Sequence, residues 1–243
     1  MRDWVCGFFM AWGMFLAIPC PRKIWSESAR QKMLVCMPLV GLLAGGVWAG
    51  AWLLLRGAPG PVRAAVCAAA PWLVTGFMHL DGYMDVCDAV LSRRDLATRQ
   101  RILKDSHCGA FAVICMVLLA MGQWSLFLAA EDVSWLGLLL IPAATRACAG
   151  LAVLGLRPMG TSQYAAMGPA RGGYGAALWV LLVLSVGLPL WLDGSFGPLV
   201  AAAGYGLAVW YGFRNLDGMS GDISGFALTL GELCGCAAAI LWR

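Results

Sequence analysis

The chain predicts an all-α, polytopic membrane bundle, and three observations carry that expectation. Of its 243 residues, 61% are hydrophobic and only 12% charged, roughly half the charged share of a soluble domain. Apolar runs of about the length that crosses a bilayer recur from end to end, which is the pattern of membrane spans. The mean hydropathy is +0.77, and no polar linker sets off a soluble block, so residues 1–243 read as a single polytopic membrane domain.

Taken in order, Trp4–Ile18 is a short apolar segment. It either spans with help from its flanks or lies in the interface or re-enters. Spans of full length then follow at Met33–Leu55, Val62–His79, Ala110–Ala130, Trp135–Leu156, Tyr174–Leu192, Phe196–Phe213 and Phe226–Trp242, giving about seven transmembrane helices. Arg2 followed at once by Asp3, with no small-residue cleavage pattern, argues against a signal peptide. The ten cysteines show no CxxC pair and lie mostly in apolar runs, so neither a zinc site nor a disulfide framework is expected.

Threading the spans alternately places four polar stretches on one side: Pro19–Lys32, Leu80–Gly109, Arg157–Gly173 and Arg214–Gly225. That side collects Arg22, Lys23, Arg30, Lys32, Arg93, Arg94, Arg99, Arg101, Lys104, Arg157, Arg171 and Arg214. The opposite side holds only Arg56, Arg63 and Arg243. The positive-inside rule makes the four-stretch face cytoplasmic. Nearly every carboxylate able to do chemistry lies there too, in residues 80–109, 157–173 and 214–225.

The stretch HLDGYMDVCDA puts Asp81, Asp85 and Asp88 at i, i+4 and i+7. On a helix they fall within about 60° of one another. Crowded carboxylates repel, and a hard divalent cation relieves them. Oxygen ligands shared with water and substrate phosphate describe Mg²⁺. The plainer reading is a solvated acidic helix end. A second acidic stretch, NLDGMSGDISG, carries Asp217 and Asp222 among Gly218, Gly221 and Gly225, which suit a tight loop near a ligand or an ordinary turn. In RQRILKDSHCGAF, Lys104, Asp105 and Ser106 precede a span. Such a position favours an anion at the helix N-terminus, with Lys104 neutralising phosphate. Helix capping by Asp105 or Ser106 is the other reading. Arg146 lies inside an apolar span, where an ionisable residue signals a buried pair or a substrate contact. Asp-bound Mg²⁺ beside basic residues suits displacement at a pyrophosphate, with a carboxylate as general base.

HLDGYMDVCDA followed by RILKDSHCGAFAV resembles the paired signature of the cobalamin synthase family, adenosylcobinamide-GDP ribazoletransferases. FLAIPCP, MPLVGLLAG and LDGMSGDISGFALTLGE are similar to further family stretches, in the same order over most of the chain. The resemblance implies transfer of the corrinoid phosphate of adenosylcobinamide-GDP to α-ribazole or its 5′-phosphate, with GMP leaving and Mg²⁺ required, at the bacterial inner membrane. It implies Asp81, Asp85, Asp88 and Asp105 as catalytic residues. It implies His79, Gly82, Lys104, Ser106, Gly221 and Asp222 as substrate-binding residues, to which Arg146 is added from its place inside a span. Asp81, Asp85, Asp88 and Asp222 are the implied metal ligands. The expected partners are the corrinoid nucleotide and α-ribazole, membrane lipid, and either a second copy or other nucleotide-loop assembly enzymes, with no nucleic acid.

Departures from the family pattern are His107 in place of Arg, Ala89 in place of Gly, and Asp217 where Gly is usual. Thr229 stands where the family has Glu, with Glu232 one turn later. RPMGT (157–161) lacks the family's Pro-x-Ala-Arg pattern, for which Arg157 or Arg171 would compensate. The alternatives are a CDP-alcohol phosphotransferase, a prenyltransferase or a small transporter. This chain lacks the Ala-Arg offset expected of the first, the pair of Asn-led motifs expected of the second, and the internal repeat with a midplane site expected of the third.

Overall fold

The structure is a computed structural model that describes residues 2–160, 162, 164 and 173–242. Ten α-helices make up the described fold: α1 Arg2–Phe15, α2 Arg30–Leu54, α3 Gly60–Val74, α4 Met78–Leu91, α5 Leu96–Ile102, α6 Ala110–Ala129, α7 Trp135–Gly155, α8 Tyr174–Asp193, α9 Gly197–Leu216 and α10 Gly221–Leu241. Five segments are long and apolar enough to cross a membrane: 27–54, which contains α2, together with α6, α7, α8 and α10. The number rises to six if α3 and α4 are taken as one broken span. The α9 helix has the length but not the hydropathy, so about seven spans was a high expectation on that measure.

Burial sorts the helices into a centre and a rim. About 67–72% of the apolar window is buried in α2, α7 and α10, against 22% in α6 and α8. The central helices touch through small residues. A Cβ on Gly41 would lie 2.6 Å from the Pro142 carbonyl oxygen, and Gly45 meets the backbone of Leu139, so α2 and α7 approach backbone to backbone. In lipid, where apolar surface gains little by leaving its solvent, such close contact is what drives association. The outward faces of α6 and α8, with Val117, Leu118, Val183 and Trp191 exposed, are apolar as lipid contact requires.

Three expected boundaries shift. The span Val62–His79 does not run through. It breaks at Thr75–Phe77, and α4 leaves α3 at 91°. The turn is made by Gly76 (φ +61°) and Phe77 (φ +62°), both left-handed, while the Thr75 hydroxyl bonds back to Pro71 and ends the ladder. A hydropathy window averages over such a break. α2 begins at Arg30 and so incorporates polar residues that were assigned to the preceding stretch. α10 begins at Gly221 rather than Phe226, because Ser220 caps it by accepting from Ile223 N–H at 3.3 Å. The loop at 214–225 therefore shrinks to Asp217–Ser220, and Gly225 is a helix residue.

α1 packs along α2, burying Cys6, Met10 and Ala11, and Asp3 pairs with Lys32 at 2.6 Å. This fixes α1 against the bundle.

Candidate active site

The acidic motif HLDGYMDVCDA folds as the α4 helix, as its spacing demanded. What gives it a partner is its contact with α10. A Cβ added to Gly82 would lie 2.8 Å from the Asp222 carbonyl oxygen, and one on Gly225 would lie 3.1 Å from the His79 carbonyl oxygen. Glycine on both helices lets their backbones touch, and that contact carries Asp81 to Asp222. Thr229 tightens it by donating to the His79 carbonyl at 3.2 Å.

A cavity of about 430 Å³ opens at this crossing, within the range of small-ligand sites. Six of the expected residues line it: His79, Asp81, Gly82, Lys104, Gly221 and Asp222. The three motifs, far apart in sequence, thus meet at one cavity. Asp85 lies one turn beyond Asp81, and it feels the charges of Asp81, Asp222 and Asp88, in that order. No ion pair with these acids appears among the described residues; Ser220 donates a hydrogen bond to Asp222 at 3.4 Å. Among the described residues no three His, Cys, Asp or Glu side chains are grouped to hold a metal by themselves.

The remaining expected residues stand elsewhere. Asp88 is turned to α6: one oxygen accepts from Gly109 N–H at 2.5 Å and the other from Ala112 N–H at 3.0 Å. A carboxylate there satisfies orphan amides and complements the helix dipole. Capping of this span thus comes from Asp88, and neither Asp105 nor Ser106 is its cap. Asp105 is exposed and bonds His107 through both the backbone N–H at 3.0 Å and the ring Nδ1 at 2.6 Å. That hydrogen bond from His107 holds the Asp105 carboxyl below the ordinary range. Ser106 is exposed and does not line the cavity.

Arg146 is buried on α7 and donates to Glu232 of α10 at 2.6 Å and to the Pro142 carbonyl at 3.1 Å. Thr145 also reaches Glu232, at 3.4 Å. Of the readings open for Arg146, a buried pair or a substrate contact, the structure shows the buried pair, with Glu232 as its partner. Arg157 pairs with Asp217, and the two loops run side by side: Met159 N–H bonds the Met219 carbonyl and Met219 N–H the Arg157 carbonyl, each at 2.9 Å. Arg171 lies outside the described residues.

Sequence reasoning missed several cavity residues. Arg30 lines it, as do Trp25, Tyr164 and the methionines 14, 33, 37, 78 and 159. The methionines come from four separate segments, and only Met33 and Met37, at i and i+4 on α2, share a helix. Their flexible thioethers give the cavity an adaptable apolar wall facing its polar end.

A family model described as cobalamin-5-phosphate synthase matches residues 7–240. Curated relatives named adenosylcobinamide-GDP ribazoletransferase include one from Clostridium botulinum at 32% identity with both chains covered in full. Another, from Clostridium perfringens strain 13, is 33% identical over 93% of this chain and 94% of its own. A third, from Ralstonia nicotianae, is 34% identical over 100% and 97%. No solved structure matches. With the helix crossing that joins its motifs and a match over nearly its whole length, the chain belongs to the cobalamin-5-phosphate synthase family.

Proposed function

We propose that this protein is an adenosylcobinamide-GDP ribazoletransferase, joining adenosylcobinamide-GDP to α-ribazole or α-ribazole 5′-phosphate. The relatives carry that activity in their name. The observation that carries the reading is the single cavity lined by Asp81, Lys104 and Asp222, one from each motif.

The reaction is a displacement at phosphorus. A ribose hydroxyl that is free in both acceptors, and so not the 5′-oxygen that carries phosphate in α-ribazole 5′-phosphate, bonds through its oxygen to the phosphorus attached to the corrinoid. The bond from that phosphorus to the oxygen bridging to GMP breaks, and GMP leaves with the electron pair. The acceptor's proton passes to a carboxylate of the cluster. Asp85, half-buried one turn along α4 from the cavity-lining Asp81 and close to Asp222, is the carboxylate we assign to take it. Lys104 offsets charge on the phosphates. His79 and Gly82 form the wall behind them, and the methionines receive the apolar part of a substrate.

Mg²⁺ fits these residues. They offer oxygen donors only, and one or two protein carboxylates with water and substrate phosphate completing the shell is how this ion is usually held. Asp81 and Asp222 would hold it, with Asp85 beside them, and Asp88 would serve the site by seating α6. When bound it would polarise the phosphoryl oxygens and offset the diphosphate charge. The active face is the cytoplasmic side of a bacterial inner membrane, a reading supported by the one-sided distribution of Arg and Lys.

The test is direct. Detergent-purified protein given adenosylcobinamide-GDP, α-ribazole and Mg²⁺ should release GMP and form a cobalamin, and should stop on chelation and resume on adding Mg²⁺. A well-folded sample that yields neither product overturns the reading. Asp85→Asn should melt like the parent and turn over poorly; full activity in that variant removes Asp85 from the chemistry.

A further inference from the structure

Arg30 lines the same cavity as Asp81, Lys104 and Asp222, yet it belongs to none of the three motifs. Its Nη1 donates to Glu27 Oε2 at 3.1 Å. Glu27 is itself held, because Trp25 Nε1 donates to its other oxygen at 2.7 Å. The Trp25 hydrogen bond, helped by the charge of Arg30, keeps the Glu27 carboxyl below its ordinary range, so it stays ionised as the anchor of the guanidinium. The Nε of Arg30 is buried and has no hydrogen-bond partner.

Local stability does not explain this arginine. It is the first residue of α2, where a cation opposes the helix dipole. Membrane orientation does not explain it either, since Arg22 and Lys23 supply that charge from exposed positions in the same stretch. What remains is a planar donor fork, fixed from one side by Glu27, on a residue that lines a cavity also presenting Lys104. Such a fork matches a phosphate oxyanion, which it can engage through two donors at once.

We propose that Arg30 is a phosphate-binding residue of this site, held by the Trp25–Glu27 relay and acting with Lys104 on the side of the substrate charge that the Asp cluster leaves unmet. The proposal rests on the reading of the cavity as a phosphoryl-transfer site. The shared chemistry is a phosphate monoester or diphosphate oxyanion, which belongs either to the nucleotide donor or to a phosphorylated acceptor.

The test compares the full chain with Arg30→Met, Arg30→Lys and Glu27→Gln, all in detergent with Mg²⁺. Calorimetric titration with GMP and with inorganic pyrophosphate is run first, and steady-state KM values follow for adenosylcobinamide-GDP, α-ribazole and α-ribazole 5′-phosphate. Loss of a charge-assisted contact should weaken binding roughly ten- to a hundredfold in Arg30→Met, with Arg30→Lys between it and the parent and Glu27→Gln a milder version. Weakened GMP binding together with a raised KM for adenosylcobinamide-GDP supports contact with the donor. A KM raised for α-ribazole 5′-phosphate but not for α-ribazole supports contact with the acceptor phosphate. Unchanged GMP, pyrophosphate and phosphate-bearing substrate constants in Arg30→Met overturn the proposal, as does a uniform rise that includes unphosphorylated α-ribazole. Melting in the absence of ligand reports whether the variants fold. If the parent makes no cobalamin, the proposed reaction falls, while the GMP and pyrophosphate titrations still decide the role of Arg30.

Discussion

Arg146 and Glu232 sit deep in the bundle, their side chains 1% and 9% exposed, and each answers the other's charge. Asp81 and Asp222 line the cavity, with Asp85 one turn along α4, and their like charges lie near one another. In the first cluster the opposite charge offsets much of the cost of removing charge from water, although Nε and Nη2 of Arg146 are buried without a hydrogen-bond partner among the described residues. In the second the repulsion is left for something that binds to relieve. Both were ionisable groups in or beside apolar segments, and sequence alone gave them the same standing as functional candidates. Pairing is what separates a structural charge from one kept ready for a ligand.

The strongest way to break the comparison is to remove an acid from the open cluster. Asp222→Asn should lower turnover well beyond the roughly 100-fold that follows loss of a supporting partner, while melting stays close to the parent, because an uncompensated charge has been removed. Equal losses of activity and stability would put Asp222 in the structural class with Glu232.

The closed cluster should respond the other way. Glu232→Gln leaves a buried guanidinium unanswered and should cost about 3 kcal/mol or more of stability, seen as a lower melting temperature in detergent. Replacing both partners, Arg146→Met with Glu232→Leu, should recover most of that loss. If the double variant instead keeps its stability but loses turnover, the pair has a part in the chemistry.

The contact between α4 and α10 ties the open cluster to the fold. Gly82→Ala forces a methyl group toward the Asp222 backbone and should cost about 1–3 kcal/mol together with turnover, since parting the helices parts Asp81 from Asp222. The smallest expected effect is at Asp88. Asp88→Asn keeps one of the two acceptors at the start of α6 but sets its amide NH2 against the other backbone N–H, and should cost about 1–3 kcal/mol with turnover kept. A loss of Mg²⁺-dependent activity as deep as that of Asp222→Asn would return Asp88 to the metal set.

The limits of sequence reading follow the same division. The helical register of Asp81, Asp85 and Asp88 was legible because it is local: 3.6 residues per turn fixes which side chains share a face. The meeting of three motifs was legible from their place on one membrane face and from their resemblance to a family, and the geometry gives it a cause in Gly82 and Gly225. The break at Gly76–Phe77 escaped because PWLVTGFMHL is apolar throughout, and a left-handed turn leaves no mark on hydropathy. Asp88 as a cap for a helix 21 residues away, and Glu232 as the partner of Arg146, are long-range pairings that no spacing rule reaches. Arg30 was read as one more basic residue of the cytoplasmic side, because charge counting does not say which guanidinium turns inward.

The sequence by itself determined that the chain is a helical membrane protein, which face holds its charges, and which acids share one side of α4. These follow from hydropathy, charge asymmetry and helical period, each a property of neighbouring residues. Only the tertiary structure decided which acids meet across helices, which arginine is neutralised and which faces the cavity. Those outcomes depend on how closely two backbones can approach, and that is set by residues far apart in the chain.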